Sequence, residues 1–162
     1  MSTAPQTQNI RPKDLDWLAQ SLKLSEALSE SPALESLLES LPSIALEAWP
    51  ASQDVLQENE RGEDFFVVYK GELSVRSRNG KAEARELGRL GPGDFFGEIG
   101  FLMKSGRSAT VRTEAACRLF RFPAKDFSDL LKRHKALDGW VKQVAFARIQ
   151  QLFSGPSAAR PQ

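Results

Sequence analysis

At 162 residues, with 41% hydrophobic and 9% aromatic side chains, the chain has material for one packed core and too little length for two. Basic and acidic residues nearly cancel at net +1, so the total charge argues for neither nucleic acid nor an anionic membrane as partner. A single cysteine, Cys117, excludes an internal disulfide, and a single histidine, His134, leaves no His or Cys cluster with which to hold a metal.

In chain order, residues 1 to 11 (MSTAPQTQNIR) are polar, lack a period and are expected to be loose. They have neither the basic start nor the apolar centre of a signal peptide, and no later stretch is long and apolar enough to cross a bilayer, so a cytoplasmic location is expected. Residues 12 to 45 read as an acidic helical segment. Leu15, Leu18 and Leu22 recur at helical spacing, and Ser31-Pro32 caps a second helix carrying Leu34, Leu37, Leu38 and Leu41. Such a leucine stripe signals packing rather than chemistry.

From residue 46 to residue 122 the pattern changes to short strands parted by turns, which predicts a small all-β barrel of about eight strands. They are expected near 46–49, 54–57, 65–69, 72–78, 83–87, 94–96, 109–114 and 117–122. Asn79-Gly80 is a two-residue hairpin signal, and Gly91-Pro92-Gly93-Asp94 is a tight turn. Cys117 falls in an apolar strand and is expected in the core. The adjacent carboxylates Glu63 and Asp64 fall in a turn, where solvation is the ordinary explanation. Residues 123 to 153 predict two helices, one started by Pro123 with Phe127, Leu130 and Leu131 on its apolar face, the other carrying Leu137, Val141, Val144, Ala145, Ile149 and Leu152. Trp140 reads as a packing anchor and His134 as a solvated member of a short basic run. Residues 154 to 162 read as a loose tail.

Within this frame the stretch GPGDFFGEIGFLMKSGRSATVRT, residues 91 to 113, carries the chemistry. Gly97 and Gly100 let backbone approach a ligand closely, a short helix from Glu98 offers free N–H groups, and Arg107 supplies a guanidinium that forks onto phosphate oxygens. Together these predict a site for a small anion. The alternative is a surface ion pair between Glu98 and Arg107 that pins a loop.

The run FGEIGFLMKSGRSATV resembles the phosphate-binding cassette of the cyclic nucleotide-binding domain family, with Phe101 at the usual Leu and Gly106 where many members have Pro. The segment NERGEDFFVVY, followed by Gly71, resembles the family's glycine-marked strand, with Asn59 at the first glycine. The resemblance covers about residues 44 to 125, with the cassette at 95 to 111. It implies a β-roll or jelly-roll barrel, mainly β with flanking helices, preceded by a helical lead-in and followed by hinge and lid helices. It also implies that Glu98 accepts from a ribose 2′-hydroxyl and that Arg107 pairs with the cyclic phosphate. Backbone N–H groups around Gly97 to Ile99, and that of Ser108 or Ala109, would complete the shell. Arg148, Phe146 and Phe153 are candidates to cap the base.

The function expected is therefore a stand-alone cytosolic receptor for cAMP, or for cGMP, that changes conformation and signals through a separate partner. No enzyme activity, metal or further cofactor is expected. SGPSAARPQ after Phe153 holds no DNA-binding helix-turn-helix, and the lone cysteine argues against the family's iron–sulfur variant. Self-association through the last helix is one candidate mode of assembly. The alternatives are a degenerate, ligand-independent interaction module and a receptor for cyclic di-GMP.

Overall fold

The computed structural model describes residues 5–21, 43–78, 82–104 and 106–153. Strand β1 (Gln6–Gln8) leads into helix α1 (Pro12–Ser21). Strands β2 (Ala45–Trp49), β3 (Asp54–Leu56), β4 (Phe65–Lys70), β5 (Leu73–Ser77), β6 (Arg85–Leu90) and β7 (Phe95–Phe96) follow. Helix α2 (Glu98–Met103) interrupts the β-structure before β8 (Thr110–Thr113) and β9 (Cys117–Phe122). Helices α3 (Ala124–Arg133) and α4 (Lys135–Phe153) end the described chain.

The strands form two antiparallel sheets, ordered β1-β2-β9-β4-β7 and β3-β8-β5-β6. This is the expected mainly-β roll with flanking helices, although among the described residues nine strands divide between two sheets rather than closing one eight-stranded barrel. The register explains why β4 is apolar over its first five positions and β9 at four of its six. Phe65 faces Phe122 and Val67 faces Phe120, and all four belong to a core shared with Leu15 and Leu18 of α1, Phe127 and Leu130 of α3, and Val141 of α4. The alternate residues Phe66, Val68 and Leu119 join Leu56, Leu73, Leu90 and Val111 of the other sheet in a second core. A sheet covered on both faces reads as a continuous hydrophobic run rather than an alternation. The Phe65 and Phe127 rings stack at 3.8 Å and tie that sheet to α3.

Several local expectations are corrected. Gln6–Gln8, expected to be loose, pair with Ala48, Glu47 and Leu46 on β2. The helical segment placed over 12 to 45 gives way to strand at Ala45; Leu22, the Ser31-Pro32 cap and its leucines lie outside the described residues. The strand expected at 83–87 runs instead from Arg85 to Leu90. Val75 pairs with Gly88 and Arg76 with Glu86, so Leu87 is an extra, bulged residue that lets the strand continue through a glycine. Asn79-Gly80 and the Ser154-Gly155-Pro156 stop also lie outside the described residues. The Gly91–Asp94 turn forms as expected, with Gly93 at φ +92° and the Asp94 N–H donating to the Gly91 carbonyl at 3.0 Å. Cys117 is buried and free.

Candidate functional site

Local chemistry bends the chain around the cassette. Gly97 stands before α2 at φ +93°, a conformation costly for any side chain, and a Cβ there would meet the Asp64 carbonyl oxygen at 2.5 Å. Gly100 is constrained by space alone, since a Cβ would lie 2.9 Å from the Gly62 carbonyl oxygen and 3.0 Å from Arg107 Nη1. These two glycines clear a slot through which the Arg107 side chain passes. The backbone holds it as well: the Arg107 N–H donates to the Glu60 carbonyl at 2.7 Å, and the Asn59 N–H donates to the Arg107 carbonyl at 2.8 Å.

Arg107 is only 5% exposed. Its Nη1 donates to the Gly97 carbonyl and its Nη2 to the Asp64 carbonyl, each at 3.1 Å. Both acceptors are neutral. Among the described residues no carboxylate oxygen lies within ion-pair distance of it. Burial pushes the guanidinium's pKa down, opposed by the charge of Asp64. An arginine stays protonated regardless, so the cavity wall carries a buried positive charge whose side-chain partners are neutral carbonyls.

Glu98 is buried to a similar degree, 2% exposed, and does not pair with Arg107. Its Oε1 accepts from Nη1 of Arg148 on α4, and its Oε2 accepts from the Ile99 N–H at 3.1 Å. Burial pushes the Glu98 carboxyl up in pKa, and the Arg148 charge and hydrogen bond oppose that rise. The surface ion pair of the alternative reading is therefore absent: each charge has a different neighbourhood.

All seven residues expected at the site, Gly97, Glu98, Ile99, Gly100, Arg107, Ser108 and Ala109, line one cavity of about 310 Å³. That volume suits a small organic ligand. The expected free N–H of Ile99 is engaged by Glu98. Of the lid candidates, Arg148 lines the cavity, where it bonds Glu98 and lies 5.1 Å over the Phe95 ring. Phe146 does not line it and is 56% exposed, and the Phe153 side chain lies outside what the structure describes. Sequence reasoning missed Gln151, whose Nε2 donates to the Leu87 carbonyl at 2.6 Å and thereby ties α4 to β6. It also missed the wall formed by Leu87, Gly88 and Arg89. The Gly in RELGRL was the available signal, because a glycine inside a strand marks a bulge. Asp64, expected to be solvated, is half-buried and accepts from Arg121 Nε at 2.8 Å.

The two-sheet roll with its flanking helices and glycine-lined cavity has the architecture of cyclic nucleotide-binding domains. The model of the family described as "Cyclic nucleotide-binding domain" matches residues 46–134, more than half of the chain, and the chain belongs to that family. It is 38% identical over 72 residues to the potassium channel AKT2 of Oryza sativa subsp. japonica; the match takes 44% of this chain and 8% of the channel. Among solved structures it is similar to a cyclic nucleotide-binding domain from Methylobacillus flagellatus KT, with TM-score 0.71 and 15% identity over 92% of this chain and 85% of that one. It is also similar to the regulatory domain of Toxoplasma gondii PKA, solved with cAMP, with TM-score 0.61 and 25% identity over 74% of this chain and 45% of that one. Among the described residues no group of His, Cys, Asp and Glu could hold a metal, and no helix is long and apolar enough to cross a membrane.

Proposed function

We propose that this chain is a receptor for a cyclic mononucleotide, cAMP ahead of cGMP, and that it passes the signal to a separate partner protein. The observation that carries the reading is Arg107: a buried guanidinium held by two carbonyls and lacking a carboxylate partner among the described residues. A monoanionic phosphate would neutralise it and take its remaining donors. Glu98, on α2 in the wall of the same cavity, supplies an acceptor for a ribose hydroxyl, and the cAMP in the Toxoplasma gondii structure supports the same ligand class.

Occupancy is read out through α4. Its Arg148 grips the Glu98 carboxylate, and its Gln151 grips the Leu87 carbonyl, so a ligand that engages Glu98 alters what holds the helix. The exposed Phe146 on the same helix is the proposed contact for the partner or for a second copy of the chain. A cyclic dinucleotide is disfavoured because it needs a second free cation. The other arginines lining the cavity are engaged, Arg148 with Glu98 and Arg89 with Glu72 and Glu86.

One observation favours the ligand-independent module: both Glu98 oxygens already have donors. Calorimetric titration of nucleotide-stripped protein with cAMP, cGMP and cyclic di-GMP decides between the readings. Saturable one-site binding of a mononucleotide is expected. The absence of heat with all three would leave the interaction module as the reading.

A further inference from the structure

Arg121 and Asp64 do not line the cavity, yet both act on the residue that defines it. Asp64 is a two-sided node. Its carbonyl accepts from Arg107 Nη2 at 3.1 Å, while its carboxylate accepts from Arg121 Nε at 2.8 Å. Arg121, on β9, also reaches Glu47 Oε2 at 3.5 Å and lies 5.4 Å over the Phe66 ring. The other Glu47 oxygen accepts from Trp49 Nε1 at 3.1 Å. The carboxylates of Asp64 and Glu47 are thus bound by one arginine.

A carboxylate belonging to Asp64 is the natural competitor for Arg107, because the carbonyl of that same residue already touches the guanidinium. Its charge already acts on the guanidinium, and direct pairing between the two would be charge-assisted. The charges of Asp64 and Arg121 are the two that act most on the Arg107 guanidinium after its burial, and they act in opposite senses.

We propose that Arg121 is a positioning residue for the anion site: by engaging the Asp64 and Glu47 carboxylates it leaves the Arg107 guanidinium unclaimed and available to a ligand phosphate. This rests on the reading of Arg107 as the phosphate partner. The arrangement makes the two members of one ion pair functionally unequal. Arg121 protects the site, whereas the Asp64 carboxylate is a rival held in check.

The test is calorimetric titration of cAMP into the nucleotide-stripped full chain and its variants, with thermal melting to verify folding. Arg121→Gln is expected to weaken binding about tenfold, on the scale of losing a nearby charge contact. Asp64→Asn, which keeps the carbonyl but removes the rival charge, is expected to bind as tightly as the unaltered chain or more tightly. The double variant is expected to recover to within about threefold of the unaltered affinity. An ordinary structural ion pair would make Asp64→Asn as damaging as Arg121→Gln and would deny rescue by the double variant; either result overturns the proposal. Unchanged affinity in Arg121→Gln also overturns it. Should Arg121→Gln fail to fold, Asp64→Asn alone decides. If the unaltered chain does not bind cAMP, or if Arg107→Ala binds as well as it does, the phosphate reading falls and this proposal with it. Loss in Arg107→Ala beside an unaffected Arg121→Gln removes the positioning role alone.

Discussion

Arg107 is buried with two neutral carbonyls as its side-chain acceptors, which makes it the residue on which the proposed function turns. Replacing it with Ala is expected to weaken cyclic nucleotide binding by about 2–4 kcal/mol, the scale of a desolvated charge-assisted contact. Glu98→Ala is expected to cost less, because it removes a hydroxyl acceptor and frees Arg148 rather than deleting the charge partner. Titration of both variants checks the order, and a larger loss from Glu98→Ala would reverse the roles. Gly97→Ala tests the cradle itself. Its Cβ would stand 2.5 Å from the Asp64 carbonyl that holds Arg107, at a φ of +93°, so folding and binding should both weaken, stability by about 1–3 kcal/mol in a urea titration. Glu98, Arg107 and the glycines were legible because they lie within a dozen residues and their chemistry is local. The Asp64–Arg121 pair was not: its members lie 57 residues apart and meet only through the β4–β9 pairing.

Among the elements, α1 is held by a buried polar contact as well as by its leucines. Asp14 is fully buried, and its Oδ1 accepts from the Tyr69 hydroxyl at 2.7 Å while Oδ2 accepts from the Arg11 N–H at 2.8 Å. Burial alone would raise the Asp14 pKa, but the hydrogen bonds from Tyr69 and Arg11 outweigh it and hold the carboxyl down to about 2, from an ordinary 3.8. A depressed carboxylate contributes stability that is fully present above its unfolded pKa and is lost as pH falls through its folded value. The contribution of Asp14 should therefore be intact above pH 3.8 and fade toward about pH 2, and Asp14→Asn should flatten this acid limb in urea titrations across that window. Tyr69→Phe leaves Asp14 with Arg11 alone and is expected to destabilise the chain by about 1–3 kcal/mol, the cost of a buried acceptor losing its partner. Unchanged stability would show that α1 is held by its leucines only. Strand existence was readable from alternation and turn signals, whereas the extent of β6 was not, because Leu87 bulges and Gly88 looks like an end.

For the whole molecule, the consequence is a linkage between site and fold. The cavity is walled by β6, α2 and the start of β8 and is closed by Arg148 and Gln151 of α4, so a bound nucleotide would join segments distant in sequence. Nucleotide at a hundredfold excess over its Kd should add about 2.7 kcal/mol to the unfolding free energy of the chain. Little should be added to Arg107→Ala. Chemical denaturation with and without cAMP measures both, and equal stabilisation of the two would place the ligand elsewhere.

The sequence by itself determined the mainly-β roll, the helices after it and the cassette with its two charges, because periodicity, turn glycines and short-range spacing are written locally. It marked Glu98 and Arg107 as a pair. Only the tertiary structure decided that they are not paired with each other: α4 folds back to bring Arg148 to Glu98, and the 59–64 loop wraps Arg107 in carbonyls. Which partner a buried charge takes depends on what long-range packing delivers within about 3 Å of it, and spacing along the chain does not carry that information.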